Sequence, residues 1–154
     1  LFRQMSDNGW LVDEEQLLKV ARGVAPQLRR GDLIFLSGDL GTGKTTFARA
    51  TIQELGFKGV VTSPTFTLVE TYQTRSGSVI HIDLYRLEHE AELETIGIRD
   101  HLDGESICLV EWPQKGAGLL PVPDIMIRLE YAGARRWITV TGRPGRALNL
   151  AITE

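Results

Sequence analysis

The chain has 154 residues, 42% of them hydrophobic, which suits one globular domain with a substantial core. Its formal net charge of -3 and pI of about 5.7 set the surface as a whole against a polyanion, so most contact with any nucleic acid would have to come from a partner. A single cysteine, Cys108, excludes an internal disulfide, and no apolar run approaches the roughly 18 residues of a membrane span, so a cytoplasmic protein is expected.

Asp13 to Leu28 places Leu17, Ala21, Val24 and Leu28 at helical spacing behind a capping pair, Asp13 and Gln16, which predicts an amphipathic helix. Pro26 removes a backbone donor, so the helix kinks or stops there. Gly31-Asp32 turns the chain into Leu33-Ile34-Phe35-Leu36, apolar on both faces as a buried strand is, and Lys44 to Leu55 follows as a helix closed by Gly56. Next come a short strand at Val60-Val61, the loop Thr62-Ser63-Pro64, and strand-like stretches Thr67 to Tyr72 and Val79 to Leu84 about a turn at Ser76-Gly77. Glu88 to Asp100 reads as one or two short helices. Ile107 to Val110 is another strand buried on both sides, with Cys108 as a buried thiol. Ile125 to Tyr131 and Trp137 to Thr141 form a second hairpin about Ala132-Gly133-Ala134. Strands joined through helices pair in parallel and hairpins antiparallel, so residues 1–154 are expected to form a single α/β domain: a mixed parallel/antiparallel central sheet flanked by helices.

The chemistry starts between the first buried strand and the helix after it. Gly38-Asp39-Leu40-Gly41-Thr42-Gly43-Lys44-Thr45 satisfies G-x-x-x-x-G-K-[ST] in the context that motif requires. Glycines let the chain curl so that successive amides point inward, and the helix behind them adds the positive end of its dipole. Lys44 would reach the outer phosphates of a nucleotide, and the Thr45 hydroxyl would meet magnesium. A magnesium nucleotide also needs a carboxylate where the strands end. Glu111 closes Ile107 to Val110, and Asp83 closes Val79 to Ile82 on the same face as His81. We assign Glu111 to the metal, directly or through water, and Asp83 to the metal shell or the attacking water. Thr65, after Ser63-Pro64, either touches the outermost phosphate or metal or sits in an exposed loop with local hydrogen bonds. Trp112 either gates the site or a partner contact, or packs in the core. His81, His89, His101 and Cys108 lack the paired spacing of a structural zinc site, and Arg135-Arg136 either approaches a nucleotide or, the favoured reading, solvates a turn.

Three classes share such a loop. A GTPase would carry N-K-x-D, but neither Asn8 nor Asn149 is followed by lysine. A small-molecule kinase needs an acceptor pocket and a basic lid, yet Gln114 to Asp124 offers one lysine and no arginine. An ATPase that drives a partner needs neither.

With the loop, Ser63-Pro64-Thr65-Phe66-Thr67-Leu68-Val69, His81-Ile82-Asp83-Leu84-Tyr85-Arg86-Leu87 and Leu109-Val110-Glu111-Trp112-Pro113 in this order, the chain closely resembles the bacterial TsaE (YjeE) family from the first helix to Trp137. The resemblance implies a three-layer P-loop NTPase fold and a magnesium-dependent ATPase, slow without partners, that hydrolyses ATP to ADP and phosphate. It implies service in tRNA threonylcarbamoyladenosine synthesis beside TsaD and TsaB, with TsaC supplying the group they transfer and no strong grip on tRNA by this chain. Matched motif by motif, nucleotide contacts fall on Gly38, Asp39, Leu40, Gly41, Thr42, Gly43, Lys44, Thr45, Thr46 and Thr65. Metal contacts fall on Thr45, Asp83 and Glu111, and hydrolysis on Lys44, Asp83, Glu111 and Trp112. A small-molecule kinase and a non-hydrolytic nucleotide switch are the alternatives. The stretch after Thr141 matches poorly and is assigned nothing.

Overall fold

The computed structural model describes residues 3–6 and 9–150. Among these residues eight strands make one sheet: β1 (Arg3–Ser6), β2 (Gly9–Val12), β3 (Leu33–Ser37), β4 (Val69–Thr74), β5 (Gly77–Asp83), β6 (Ile107–Glu111), β7 (Ile125–Ala132) and β8 (Arg135–Gly142). Their spatial order is β1-β2-β8-β7-β3-β6-β5-β4. Pairing is parallel for β7-β3, β3-β6 and β6-β5, and antiparallel for the pairs outside them, so the sheet is mixed as the sequence leads one to expect. Among the described residues four α-helices accompany it: α1 (Glu14–Val24), α2 (Lys44–Glu54), α3 (Ala91–Thr95) and α4 (Ile98–His101).

Strand alternation divides the apolar residues between two layers. Ile34 and Leu36 of β3 join α1 and α2 in one buried cluster, whereas Leu33 and Phe35 join Leu93 of α3 and Ile98 of α4 in the other. The central strands are therefore apolar on both faces because each face meets a helical layer. Cys108 lies in the second cluster, where burial pushes its thiol up to about 12 and leaves it a packing residue.

Local chemistry accounts for most element ends. Asp13 accepts from the Gln16 amide at 2.8 Å while Gln16 Oε1 accepts from the Asp13 amide at 2.9 Å, the reciprocal cap that starts α1. The helix stops at Val24, short of Leu28, and Pro26 sits in the tighter turn Ala25–Gln27, where its missing donor costs nothing. Two expectations need correction. Val60-Val61 forms no strand, since Val61 is buried as a plug in the first cluster while Val60 stays exposed with no neighbouring backbone to pair. The turn of the first hairpin is Arg75-Ser76, because Thr74 already pairs with Gly77. In the other direction, β2 pairs with β8 through Trp10 and Ile138, a contact across most of the chain.

The residues after β8 are tied down. Arg146 forms a bidentate pair with Asp32, both bonds 2.6 Å, and donates to the Gln27 carbonyl at 2.8 Å. Gln27 in turn exchanges two side-chain bonds with the Asn149 backbone, and Leu148 and Leu150 pack on the first cluster. Both members of the ion pair are buried, so deleting one strands the other in low dielectric. Arg146→Met should therefore cost about 3–5 kcal/mol in urea unfolding, and adding Asp32→Asn to it should recover part of the loss. An unchanged midpoint for the single variant would contradict this account.

Candidate functional site

Parallel pairing brings three strand ends to one edge. Leu36 of β3 is level with Glu111 of β6, and Glu111 is level with Asp83 of β5. Beyond β3 the chain curls through Gly38 to Gly43 and enters α2 at Lys44. Two glycines here are steric requirements. Gly43 caps the helix at φ 109°, and a Cβ there would lie 2.9 Å from Leu17; one on Gly38 would lie 2.5 Å from the Leu129 carbonyl oxygen. The Thr42 hydroxyl closes the turn by donating to the Asp39 carbonyl at 2.8 Å.

Lys44 is only 5% exposed. Its ammonium donates to the carbonyls of Gly38 (2.6 Å) and Asp39 (2.8 Å) and lies 4.4 Å from the centre of the Trp112 ring. Burial lowers its pKa from 10.5, while Glu111, Asp83 and Asp39 pull the other way. The Thr45 hydroxyl donates to Glu111, 2.9 Å from Oε1 and 3.2 Å from Oε2. His81 Nε2 stands 2.6 Å from the same Oε2, with both side chains buried. Asp83 accepts from the Thr65 hydroxyl at 3.0 Å and from the Tyr85 amide at 2.9 Å. Its pKa is raised, because burial outweighs those two bonds and the neighbouring Glu111 charge adds to it.

Lys44, Thr45, Thr46, Thr65, Asp83, Glu111 and Trp112 thus line one cavity of about 300 Å³, together with Leu40, Gly41 and Gly43. Gly38, Asp39 and Thr42 lie outside its lining. Gly38 and Asp39 contribute carbonyls to Lys44 instead, and Thr42 faces a neighbouring cleft. The local hydrogen bonds expected of Thr65 are present, since its hydroxyl also lies 2.7 Å from Ser63 Oγ, and the residue lines the cavity as well. Trp112 is half-buried, 5.1 Å from Tyr85 by ring centres, and its φ of 58° is a left-handed conformation that bulky residues rarely adopt. Such strain persists only where neighbours fix it, here Lys44, Tyr85 and the Pro113 ring that follows.

Several contributors escaped the sequence reading. His81 lay in view beside Asp83, but its bond to Glu111 depends on the register of β5 against β6. Tyr131 donates to the Leu40 carbonyl. Arg136 does not merely solvate a turn: it donates to the Gly41 carbonyl at 3.4 Å and stands 4.4 Å over the Tyr131 ring, because the pairing of β8 with β2 turns it toward the loop. The hard oxygens of Thr45, Asp83 and Glu111 suit magnesium, which ordinarily takes one or two carboxylates and leaves the rest of its shell to phosphate and water. Among the described residues no group of three or more His, Cys, Asp or Glu makes a metal cage by itself.

Comparison with known proteins shows the family. The family model for threonylcarbamoyl adenosine biosynthesis protein TsaE matches residues 11–138. The tRNA threonylcarbamoyladenosine biosynthesis protein TsaE of Haemophilus influenzae is 39% identical over 146 residues, 92% of each chain. Its namesake in Aquifex aeolicus is 43% identical over 122 residues, 78% of this chain and 84% of that one. The crystal structure of YdiB from Bacillus subtilis superposes with a TM-score of 0.72 at 31% identity, covering 92% of this chain and 87% of that one.

The raised Asp83 pKa has a definite sign. Asp83 holds its proton more tightly folded than unfolded, so its contribution to stability is present at low pH and is lost as pH rises from 3.8 through the raised value. In metal-free protein the Asp83 carboxyl carbon, followed by NMR, should titrate above 3.8, and Thr65→Ala should move it higher still by deleting a bond to the charged form. A downward move in the variant would contradict the assignment.

Proposed function

The chain belongs to the TsaE family, and from that premise we propose that it binds ATP with magnesium and hydrolyses it in tRNA threonylcarbamoyladenosine synthesis. The observation that carries this reading is the meeting of Lys44 and Thr45 with Glu111 and Asp83 in one cavity at the end of the parallel strands. Inward amides before α2 and the Lys44 ammonium hold the phosphate tail. The Thr45 hydroxyl spends its hydrogen on Glu111, which leaves its lone pairs for a cation, and this supports magnesium held by Thr45, Glu111 and Asp83. When bound, the ion neutralises charge on the phosphates as the terminal bond breaks.

The chain's own groups have separate tasks. Lys44 leaves the Gly38 and Asp39 carbonyls to meet phosphate, which restores to it the proton affinity that burial removes. Asp83 Oδ2, steadied by Thr65, positions the metal shell or the attacking water. His81 and Thr45 fix the Glu111 carboxylate from two sides. Trp112 and Tyr85 form one wall and shield the Lys44 charge from solvent.

No arginine is among the described residues that line this cavity, which supports slow turnover by the isolated chain and completion of the site by its partners. We assign that role to the TsaD and TsaB assembly, which receives the threonylcarbamoyl group from TsaC in the cytoplasm. The net charge of -3 suits a protein that acts on a tRNA enzyme without gripping the tRNA itself.

Lys44→Ala should abolish measurable binding of magnesium ATP in calorimetry. Glu111→Ala should keep affinity within several-fold while hydrolysis falls by about 10²-fold or more; equal loss of both would contradict the division of roles. Wild-type chain should also be retained by TsaD and TsaB in an ATP-dependent manner, and hydrolysis-dead variants should fail to support the modified nucleoside. Full modification with such variants would favour a non-hydrolytic switch, and labelled phosphate on a metabolite would favour a kinase.

A further inference from the structure

His81 is a histidine in a place suited to an apolar side chain. It is fully buried on β5, level with Leu109 of β6, and its ring Nδ1 has no hydrogen-bond partner among the described residues. A buried polar atom left unpaired costs stability that a leucine of similar size would not. The polar contact that the ring does make is from Nε2 to Glu111 Oε2, at 2.6 Å. An ionised carboxylate only accepts, so the hydrogen of that bond sits on Nε2.

Two donors therefore share Glu111, and they meet it differently. The Thr45 hydroxyl lies 2.9 Å from Oε1 and 3.2 Å from Oε2, in the fork between the two oxygens, whereas His81 meets Oε2. The fork is the place from which a cation would grip both oxygens at once. With the hydroxyl there and the ring on Oε2, the carboxylate has Oε1 to offer, and the ring keeps it from turning to offer more. Calcium gathers roughly six to eight oxygens at about 2.3–2.6 Å and accepts a carboxylate by both of its oxygens. Magnesium requires near-right angles at about 2.0–2.1 Å, which the narrow bite of a carboxylate does not give. We infer that His81 sets the metal preference of the site: by holding Glu111 to one available oxygen, used directly or through water, it favours magnesium over calcium beside the phosphates. This rests on the reading that Glu111 serves the metal of a bound nucleotide. His81 itself touches neither metal nor nucleotide; it is a positioning residue that acts through Glu111.

A non-hydrolysable ATP analogue, supplied in excess magnesium or excess calcium, enters as its metal complex, so the ratio of two affinities reads the preference without hydrolysis. Calorimetry should show wild-type chain binding the magnesium complex more tightly. His81→Leu, which fills the space and removes the donor, should narrow that ratio about tenfold, within what the loss of an outer partner does to a metal site. His81→Asn should behave alike, because its shorter amide stops short of Glu111. His81→Gln, whose amide reaches the place of Nε2, should keep most of the preference. With a chelator in place of metal, affinity for the analogue should be the same in all four proteins. Urea unfolding checks that each variant is folded, and if the leucine variant is not, the asparagine and glutamine variants decide. An unchanged ratio without the donor would overturn the inference. So would a loss in His81→Gln as large as in His81→Asn, which would make the packing of the ring, and not its bond, the cause. If wild-type chain binds the analogue identically with magnesium, calcium and chelator, the metal reading of Glu111 fails and the role of His81 falls with it. If it needs a metal but takes both equally, that reading stands and only the role of His81 is refuted.

Discussion

The hydrogen bond from Thr45 to Glu111 is the contact on which the rest of the arrangement depends. It joins the first turn of α2 to the last residue of β6, two elements far apart in sequence. The bond forms because β3 and β6 run in parallel with Leu36 level with Glu111, so the chain leaves β3 beside the carboxylate and returns from the loop with a hydroxyl in reach. Parallel pairing demands a long crossover, and a crossover needs cover on both faces of the sheet. The two apolar clusters are thus a precondition of the site as much as a source of stability.

The site keeps Lys44, His81, Asp83 and Glu111 inside the protein, all of them polar and all buried. Each meets a partner, yet His81 Nδ1 finds none among the described residues, and Lys44 and Asp83 both feel the burial in shifted proton affinity. Burying such groups costs stability that apolar residues of the same size would not. The same exclusion of water would strengthen the proposed hold on phosphate and cation, so the expense falls where charge must be steered.

The phosphate loop could be read from sequence because its requirements are local: glycines at fixed spacing, a buried strand before and a helix after. Asp83 and Glu111 were legible for a related reason, each ending an apolar run. The resemblance to TsaE relatives placed Trp112, although its left-handed backbone leaves no trace in composition. Features set by distant pairing stayed hidden. The His81 bond needs the register of β5 on β6, the reach of Arg136 needs β8 on β2, and Arg146 meets Asp32 from 114 positions away. Val60-Val61 misled because two apolar β-branched residues look like a strand until one asks which backbone they would pair with.

The position of Trp112 has an optical consequence. Of the three tryptophans, this one carries an ammonium 4.4 Å from its ring centre. A positive charge so near an indole alters the energy and lifetime of its excited state, and withdrawing Lys44 toward a bound anion removes that influence. The protein therefore holds an intrinsic fluorophore beside Lys44, and under the proposed phosphate binding light emitted from position 112 would report the state of the loop without any label attached.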